Sequence, residues 1–235
     1  MVMKNFAIVL AGGSGSRFGK VINKSFAPLG RHVVIEHILK TYESHPDIDA
    51  VVVVIKKQLL EKCKEIITKA NYKKVLAVVE GGHNRQESTM EGLIACKSYN
   101  PEKVLIQESV RPFTSAKIIS ESLGYLDSFT ATVALAPPVD AVLIVNKDGV
   151  VINIPEKSLL GGGQSPEGFI FDSIFRAHEF AVRDHLNDTP ENCALVLRYK
   201  LGKIKTIESD RVNFKITQPI DLLLAEAYLK KNQPL

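Results

Sequence analysis

Phe6-Ala7-Ile8-Val9-Leu10-Ala11-Gly12-Gly13-Ser14-Gly15-Ser16-Arg17 decides the fold. An apolar run of strand length ends directly in small, glycine-rich residues. A strand that is apolar on both faces belongs inside a parallel sheet covered by helices. The glycines let backbone N–H groups approach an anion closely, and Arg17 and Lys24 follow as cations. Two familiar phosphate loops do not match. A Walker loop needs Gly, four residues and Gly-Lys-Ser/Thr, whereas Gly19-Lys20 is followed by Val21. A dinucleotide fingerprint needs a third glycine where Phe18 stands. The loop is either a phosphate cradle of another kind or a glycine turn with two solvated cations.

Outward from this strand the alternation continues. Val51–Ile55, Val75–Val79, Val104–Ile106, Thr132–Leu135 and Lys203–Ile207 read as strands. Val33–Tyr42, Gln58–Ala70, Arg85–Cys96, Ser115–Asp127, Phe169–His185 and Pro219–Lys230 read as helices. The pattern predicts an α/β fold, a mainly parallel sheet with helices on both faces. Ala141–Ile154 breaks the rhythm: two apolar runs around Asn146-Lys147-Asp148-Gly149 predict a hairpin, a protruding β-arm. The expectation is one domain over residues 1–235, with the arm at about 141–160.

Composition narrows the class. The 235 residues are 45% hydrophobic and 24% charged, enough apolar content to offset the entropy of ordering a large core. No apolar run reaches the roughly 18 residues of a membrane span. Met1–Leu10 holds too short an apolar core for a signal peptide. Cys63, Cys96 and Cys193 are odd in number and unrelated in spacing, which argues against a zinc site or disulfide framework and fits a reducing cytoplasm. Thirty Lys+Arg against 26 Asp+Glu give +4, a mild excess that argues only weakly for nucleic acid.

Further motifs sit where later strands end, the place where open α/β sheets bind ligands. Glu80-Gly81-Gly82-His83-Asn84-Arg85-Gln86-Glu87-Ser88 is a second glycine turn opening a helix. Gln107-Glu108-Ser109-Val110-Arg111-Pro112-Phe113 follows another strand. Glu108 is a candidate Mg2+ ligand, because hard cations take carboxylates and bridge phosphates; a capping carboxylate is the alternative. Lys215 lies between the last strand and the last helix. The lysines between Lys56 and Lys74 fall mostly on the polar face of a helix, and the histidines share no ligand spacing.

In this order the segments resemble the cytidylyltransferases that activate small polyol phosphates. The resemblance rests on Leu10-Ala11-Gly12-Gly13-x-Gly15-x-Arg17 with Lys24, Gly81-Gly82-x-x-Arg85-Gln86-x-Ser88, Val110-Arg111-Pro112-Phe113, and Asn213-x-Lys215-Ile216-Thr217-x-Pro219-x-Asp221-Leu222. It implies a Rossmann-like nucleotidyltransferase fold and transfer of CMP from CTP to a polyol phosphate, with Mg2+. Ala11, Gly12, Gly13 and Gly15 would line the CTP phosphates and ribose. Gly82, Arg85 and Ser88 would serve the nucleotide, and Arg17, Lys24 and Lys215 the reacting phosphates. Arg111, Asp140, Lys157, Ser165 and Thr189 fall on the polyol phosphate side. The arm of such proteins crosses to a second subunit, so a homodimer is implied, with Lys157 serving the neighbour's site.

The chain departs from the family's pattern on the acceptor side. Gln107-Glu108 stand for the usual His-Asp, Ala141 for threonine, and Lys157 for arginine, which loses a bidentate fork. Ser165-Pro166-Glu167 stand for Thr-Pro-Gln, and Pro190 follows Thr189. Ser109-Val110-Arg111-Pro112-Phe113 leans toward the ribitol 5-phosphate branch of the family. The 2-C-methyl-D-erythritol 4-phosphate branch is the alternative, and a catalytically weak nucleotide-binding regulator on the same scaffold is a third expectation. The resemblance implies no nucleic-acid or membrane partner.

Overall fold

The computed structural model describes residues 3–13, 23–187, 189, 191–209 and 211–232. Along the chain run β1 (Asn5–Leu10), β2 (Pro28–Leu29), β3 (His32–Val33), α1 (Val34–Ser44), β4 (Ala50–Ile55), α2 (Leu60–Ala70), β5 (Val75–Glu80) and α3 (Arg85–Lys97). They are followed by β6 (Lys103–Glu108), α4 (Ala116–Tyr125), β7 (Ala131–Ala136), β8 (Ile144–Val145) and β9 (Val151–Asn153). The chain closes with β10 (Gly162–Ile170), α5 (Phe171–Arg183), α6 (Asn192–Arg198), β11 (Ile204–Glu208) and α7 (Pro219–Asn232). Among the described residues no helix is long and apolar enough to cross a membrane.

Seven strands form one sheet in the order β11-β7-β10-β6-β1-β4-β5. Every neighbour pair is parallel except those that β10 makes with β6 and β7. The alternation of side chains along each strand divides the core into two layers. Phe6, Ile8, Val52, Val54, Val104 and Ile106 pack toward α3, α5 and α6 through Leu93, Ile174 and Val196. Ala7, Val9, Val51, Val53 and Ile55 pack toward α1, α2 and α4 through Ile35, Ile38, Cys63 and Ile119. Strands buried on both faces are thus apolar at every position, as in β4, where all six residues are buried.

Two expected elements change. The helix expected over Phe169–His185 begins at Phe171, and the residues before it belong to β10. Gly162-Gly163-Gln164-Ser165-Pro166-Glu167-Gly168 offers little apolar signal, yet it pairs on both sides through its backbone. Gly168 is needed there: a Cβ would lie 2.3 Å from Thr132 Oγ1 and 2.9 Å from Leu105 Cδ2. α6, a seven-residue helix, was not expected at all.

The hairpin forms as expected but with short strands, and among the described residues β8 and β9 pair only with each other. The Asn146 side chain closes the turn by accepting from the N–H groups of Asp148 at 3.0 Å and Val150 at 2.9 Å. Val142, Leu143, Ile144, Val145, Val151 and Ile152 are all exposed on it.

Candidate active site

The parallel strands β1, β4, β5 and β6 end on one edge, and a cavity of about 390 Å³ opens there. That lies within the ~300–1,000 Å³ of small-molecule sites. Its wall brings together Gly12 and Gly13 after β1, Gly82 and Arg85 after β5, Glu108 at the end of β6, and Lys215 before α7. Lys24 and Ser88 complete the set of expected nucleotide-side residues on it. Ala11 is buried just behind, its N–H donating to Val54 O at 2.7 Å. Gly15 and Arg17 lie outside the described residues.

The second glycine turn is fixed by the start of α3. Asn84 caps the helix by accepting from Glu87 N at 2.8 Å, and Glu87 Oε2 accepts from His83 N at 2.8 Å. A Cβ on Gly82 would lie 2.2 Å from Glu87 Cβ, so only glycine lets the turn fold this closely onto the helix. The first turn of α3 therefore presents His83, Asn84, Arg85 and Ser88 to the cavity, at the end of the helix that favours anions.

Glu108 lies between two cations. Its Oε1 accepts from Lys215 Nζ, and its Oε2 accepts from Arg111 Nε at 2.9 Å. Burial pushes the Glu108 carboxyl up, but Lys215 and Arg111 outweigh it and hold the group below its ordinary value. Arg111 also donates to Asn213 O at 2.8 Å and is buried, off the cavity wall. Asn213 in turn donates to Ser165 O at 2.9 Å. Ser165 is buried, and its hydroxyl accepts from Gln107 Nε2 at 2.9 Å and Glu108 N at 3.1 Å. This network ties β10 and the segment before α7 to the end of β6.

Among the described lining residues Glu108 is the one carboxylate, and no group of three or more His, Cys, Asp and Glu side chains gathers among the described residues. Such a donor set fits Mg2+ held between one ionised carboxylate and ligand phosphates, and does not fit a metal caged by protein alone. Any cation there would share Glu108 with Lys215 and Arg111.

The remaining acceptor-side residues are not brought to the cavity by one chain. Thr189 Oγ1 donates to Gln86 Oε1 at 3.0 Å. Asp140 is exposed between β7 and β8, and Lys157 stands on the arm, donating to Val139 O at 2.8 Å.

Sequence reasoning missed two residues. Lys56, grouped with helical surface lysines, precedes α2 and lines the cavity. Its position just past an apolar strand was the available signal. Glu167 is 1% exposed and binds Arg85 Nη2 at 2.7 Å, while Glu191 holds the same nitrogen at 3.0 Å. The sequence flagged Glu167 only as a replacement for glutamine.

The family pattern described as "IspD: 2-C-methyl-D-erythritol 4-phosphate cytidylyltransferase" matches residues 5–231. A protein of that description from Clostridium tetani is 33% identical over 97% of this chain and 91% of its own length. A bifunctional ribulose 5-phosphate reductase/CDP-ribitol pyrophosphorylase from Haemophilus influenzae is 30% identical over 95% of this chain and 48% of its own. Among solved structures, 4-diphosphocytidyl-2C-methyl-D-erythritol synthase from Anaerococcus prevotii superposes with a TM-score of 0.86 at 27% identity, covering 98% of this chain and all of that one.

Proposed function

Because this chain belongs to the 2-C-methyl-D-erythritol 4-phosphate cytidylyltransferase family, and so is a cytidylyltransferase acting on a polyol phosphate, we propose that it transfers CMP from CTP to 2-C-methyl-D-erythritol 4-phosphate. The full-length match to relatives of that activity supports this acceptor over the ribitol 5-phosphate expected from the sequence. Ribitol 5-phosphate is the second reading, favoured by the similarity to the CDP-ribitol pyrophosphorylase.

The observation that carries the reaction is the convergence of Gly12, Gly13, Lys24, Gly82, Arg85, Ser88, Glu108 and Lys215 on one cavity. The two glycine turns would take the triphosphate and the cytosine. An oxygen of the acceptor's phosphate attacks the α-phosphorus; the new P–O bond forms as the bond to the β-phosphate breaks, and its electron pair leaves with pyrophosphate. Lys24 and Lys215, with Arg17, would offset the charge that grows on the transferring group. Glu108 would hold Mg2+, which supplies further charge neutralisation across the phosphates when bound. Holding two anions together in a cationic cavity is the main work of the site.

The acceptor side would be completed by a second subunit. The arm exposes apolar residues and among the described residues pairs only with itself, and an isolated hairpin is marginal in water. A two-fold dimer would cover both arms at once and carry Lys157 toward the neighbour's Arg111 and Asp140. A pyrophosphate-release assay with both polyol phosphates against the four nucleoside triphosphates tests the reading. Turnover with CTP and methylerythritol phosphate is expected; equal turnover of ATP and CTP, or turnover with ribitol 5-phosphate alone, would overturn it.

A further inference from the structure

We infer that Lys56 is a further nucleotide-binding residue of this site, its ammonium donating to the ribose hydroxyls of the bound ribonucleoside triphosphate; the inference rests on the proposed nucleotide site. β4 lies between β1 and β5 in the sheet. Ala11 N donates to Val54 O at 2.7 Å, and Gly81 N donates to Ile55 O at 2.9 Å, so the chains leaving β1 and β5 flank the end of β4. Lys56 is the next residue, and it stands between the two glycine turns.

Its side chain is partly buried on the cavity wall. Other cations there are already matched: Lys215 meets Glu108, and Arg85 meets Glu167 and Glu191. The Lys56 ammonium has no hydrogen bond or ion pair among the described residues, and the one carboxylate among the described wall residues, Glu108, is held by Lys215 and Arg111. An ammonium on a cavity wall with no protein acceptor has all three of its donors free for a ligand.

The position selects which acceptors. With the triphosphate at the first turn and the base at the second, the sugar lies between them. An ammonium has three donors and no acceptor, which suits the lone pairs of vicinal hydroxyls. It is a point charge on a flexible stem and does not read a base edge as a fork would.

Steady-state pyrophosphate release by the full chain, with CTP or dCTP at saturating acceptor, tests the assignment. Lys56→Met keeps the stem and removes the charge. Loss of one charge-assisted hydrogen bond should raise KM for CTP about tenfold or more, with kcat within about threefold. The KM values for CTP and dCTP should draw together, and Lys56→Arg should restore part of the loss. Lys57→Met, at an exposed residue off the cavity, should match the wild type. An unchanged KM for CTP in Lys56→Met overturns the proposal, and an equal rise for CTP and dCTP overturns the ribose assignment. If the wild type releases no pyrophosphate with any polyol phosphate, the transfer reaction is what fails. Calorimetric titration with CTP and dCTP then reads Lys56 directly, and equal affinities in wild type and Lys56→Met overturn it.

Discussion

Glu167 Oε2 accepts a hydrogen bond from Arg85 Nη2 at 2.7 Å across 82 residues of chain, joining the one antiparallel strand of the main sheet to the helix that opens the nucleotide turn. The same carboxylate accepts from Asn192 Nδ2 at 2.6 Å and Cys193 N at 2.9 Å, so it also anchors the start of α6. Removing that carboxylate leaves Arg85 with Glu191 but strips the buried Asn192 and Cys193 donors of their acceptor, at a cost of about 1–3 kcal/mol for each unsatisfied group. Glu167→Ala should lose stability on that scale in urea unfolding. Glu167→Gln, which keeps an acceptor, should lose about 1–3 kcal/mol. Either should raise KM for CTP more than it lowers kcat, since Arg85 would lose its buried carboxylate and be held on the wall by the half-exposed Glu191.

Lys24→Ala and Lys215→Ala should each lower kcat by roughly a hundredfold, on the order of 3 kcal/mol for a lost phosphate donor. Near-wild-type turnover in either variant would remove that lysine from the site. Lys215→Ala also leaves Glu108 with Arg111 alone, so its carboxyl should titrate at higher pH than in the wild type.

Glu108→Gln should keep CTP affinity in EDTA and lose the gain that Mg2+ confers. The comparison is a calorimetric titration with and without the metal. Glu108→Asp should retain turnover, since it keeps an ionised carboxylate between the same two cations. Normal metal-dependent turnover in Glu108→Gln would place the metal elsewhere.

Partial desolvation and the neighbouring Glu167 push the half-exposed Glu191 carboxyl up to about 7 from an ordinary 4.5. Between those values the folded chain holds a proton that the unfolded chain has released, so this group's stabilisation is lost as pH rises through the window. Glu191→Gln should therefore melt at a higher temperature than the wild type at about pH 8 and match it near pH 4.5. Buried His178 acts in the opposite sense: it is held down to about 4, stays neutral in the folded chain, and costs stability as pH falls below 6.5. Thermal melts of the single variants across this range separate the two.

Sedimentation should give a dimer for the wild type and a weakened one for Ile144→Lys or Ile152→Lys, both exposed on the arm. Mixing Lys157→Ala with Lys24→Ala subunits should restore part of the activity, because mixed dimers would carry one intact site. A fully active monomer would overturn the shared site.

The sheet was legible because its strands carry their own signal. Phe6–Leu10 and Val51–Ile55 are apolar throughout because both faces are buried, and that pattern needs no knowledge of their partners. β10 was not legible, since Gly162–Gly168 is held by backbone pairing and its composition reads as loop. The nucleotide turns announced themselves through glycine, whose need for close approach is local. Lys56 and Glu167 did not. One became a wall residue only when two other strands ended beside it, and the other became a salt-bridge partner only through a contact 82 residues away.

In the sheet order β10 is the sole link between the block β5-β4-β1-β6 and the block β7-β11. The first block is complete once residue 108 has been made, whereas β10 ends at Ile170 and must be threaded between neighbours already in sequence. The two blocks stay unjoined until β10 has paired with both β6 and β7. The cavity's supports arrive with that strand, Ser165 beside Glu108 and Glu167 beside Arg85. Competence for the reaction is thus acquired late in the maturation of the chain: during refolding, turnover should return in step with hydrogen-exchange protection of β10, after β1 and β4 are already shielded.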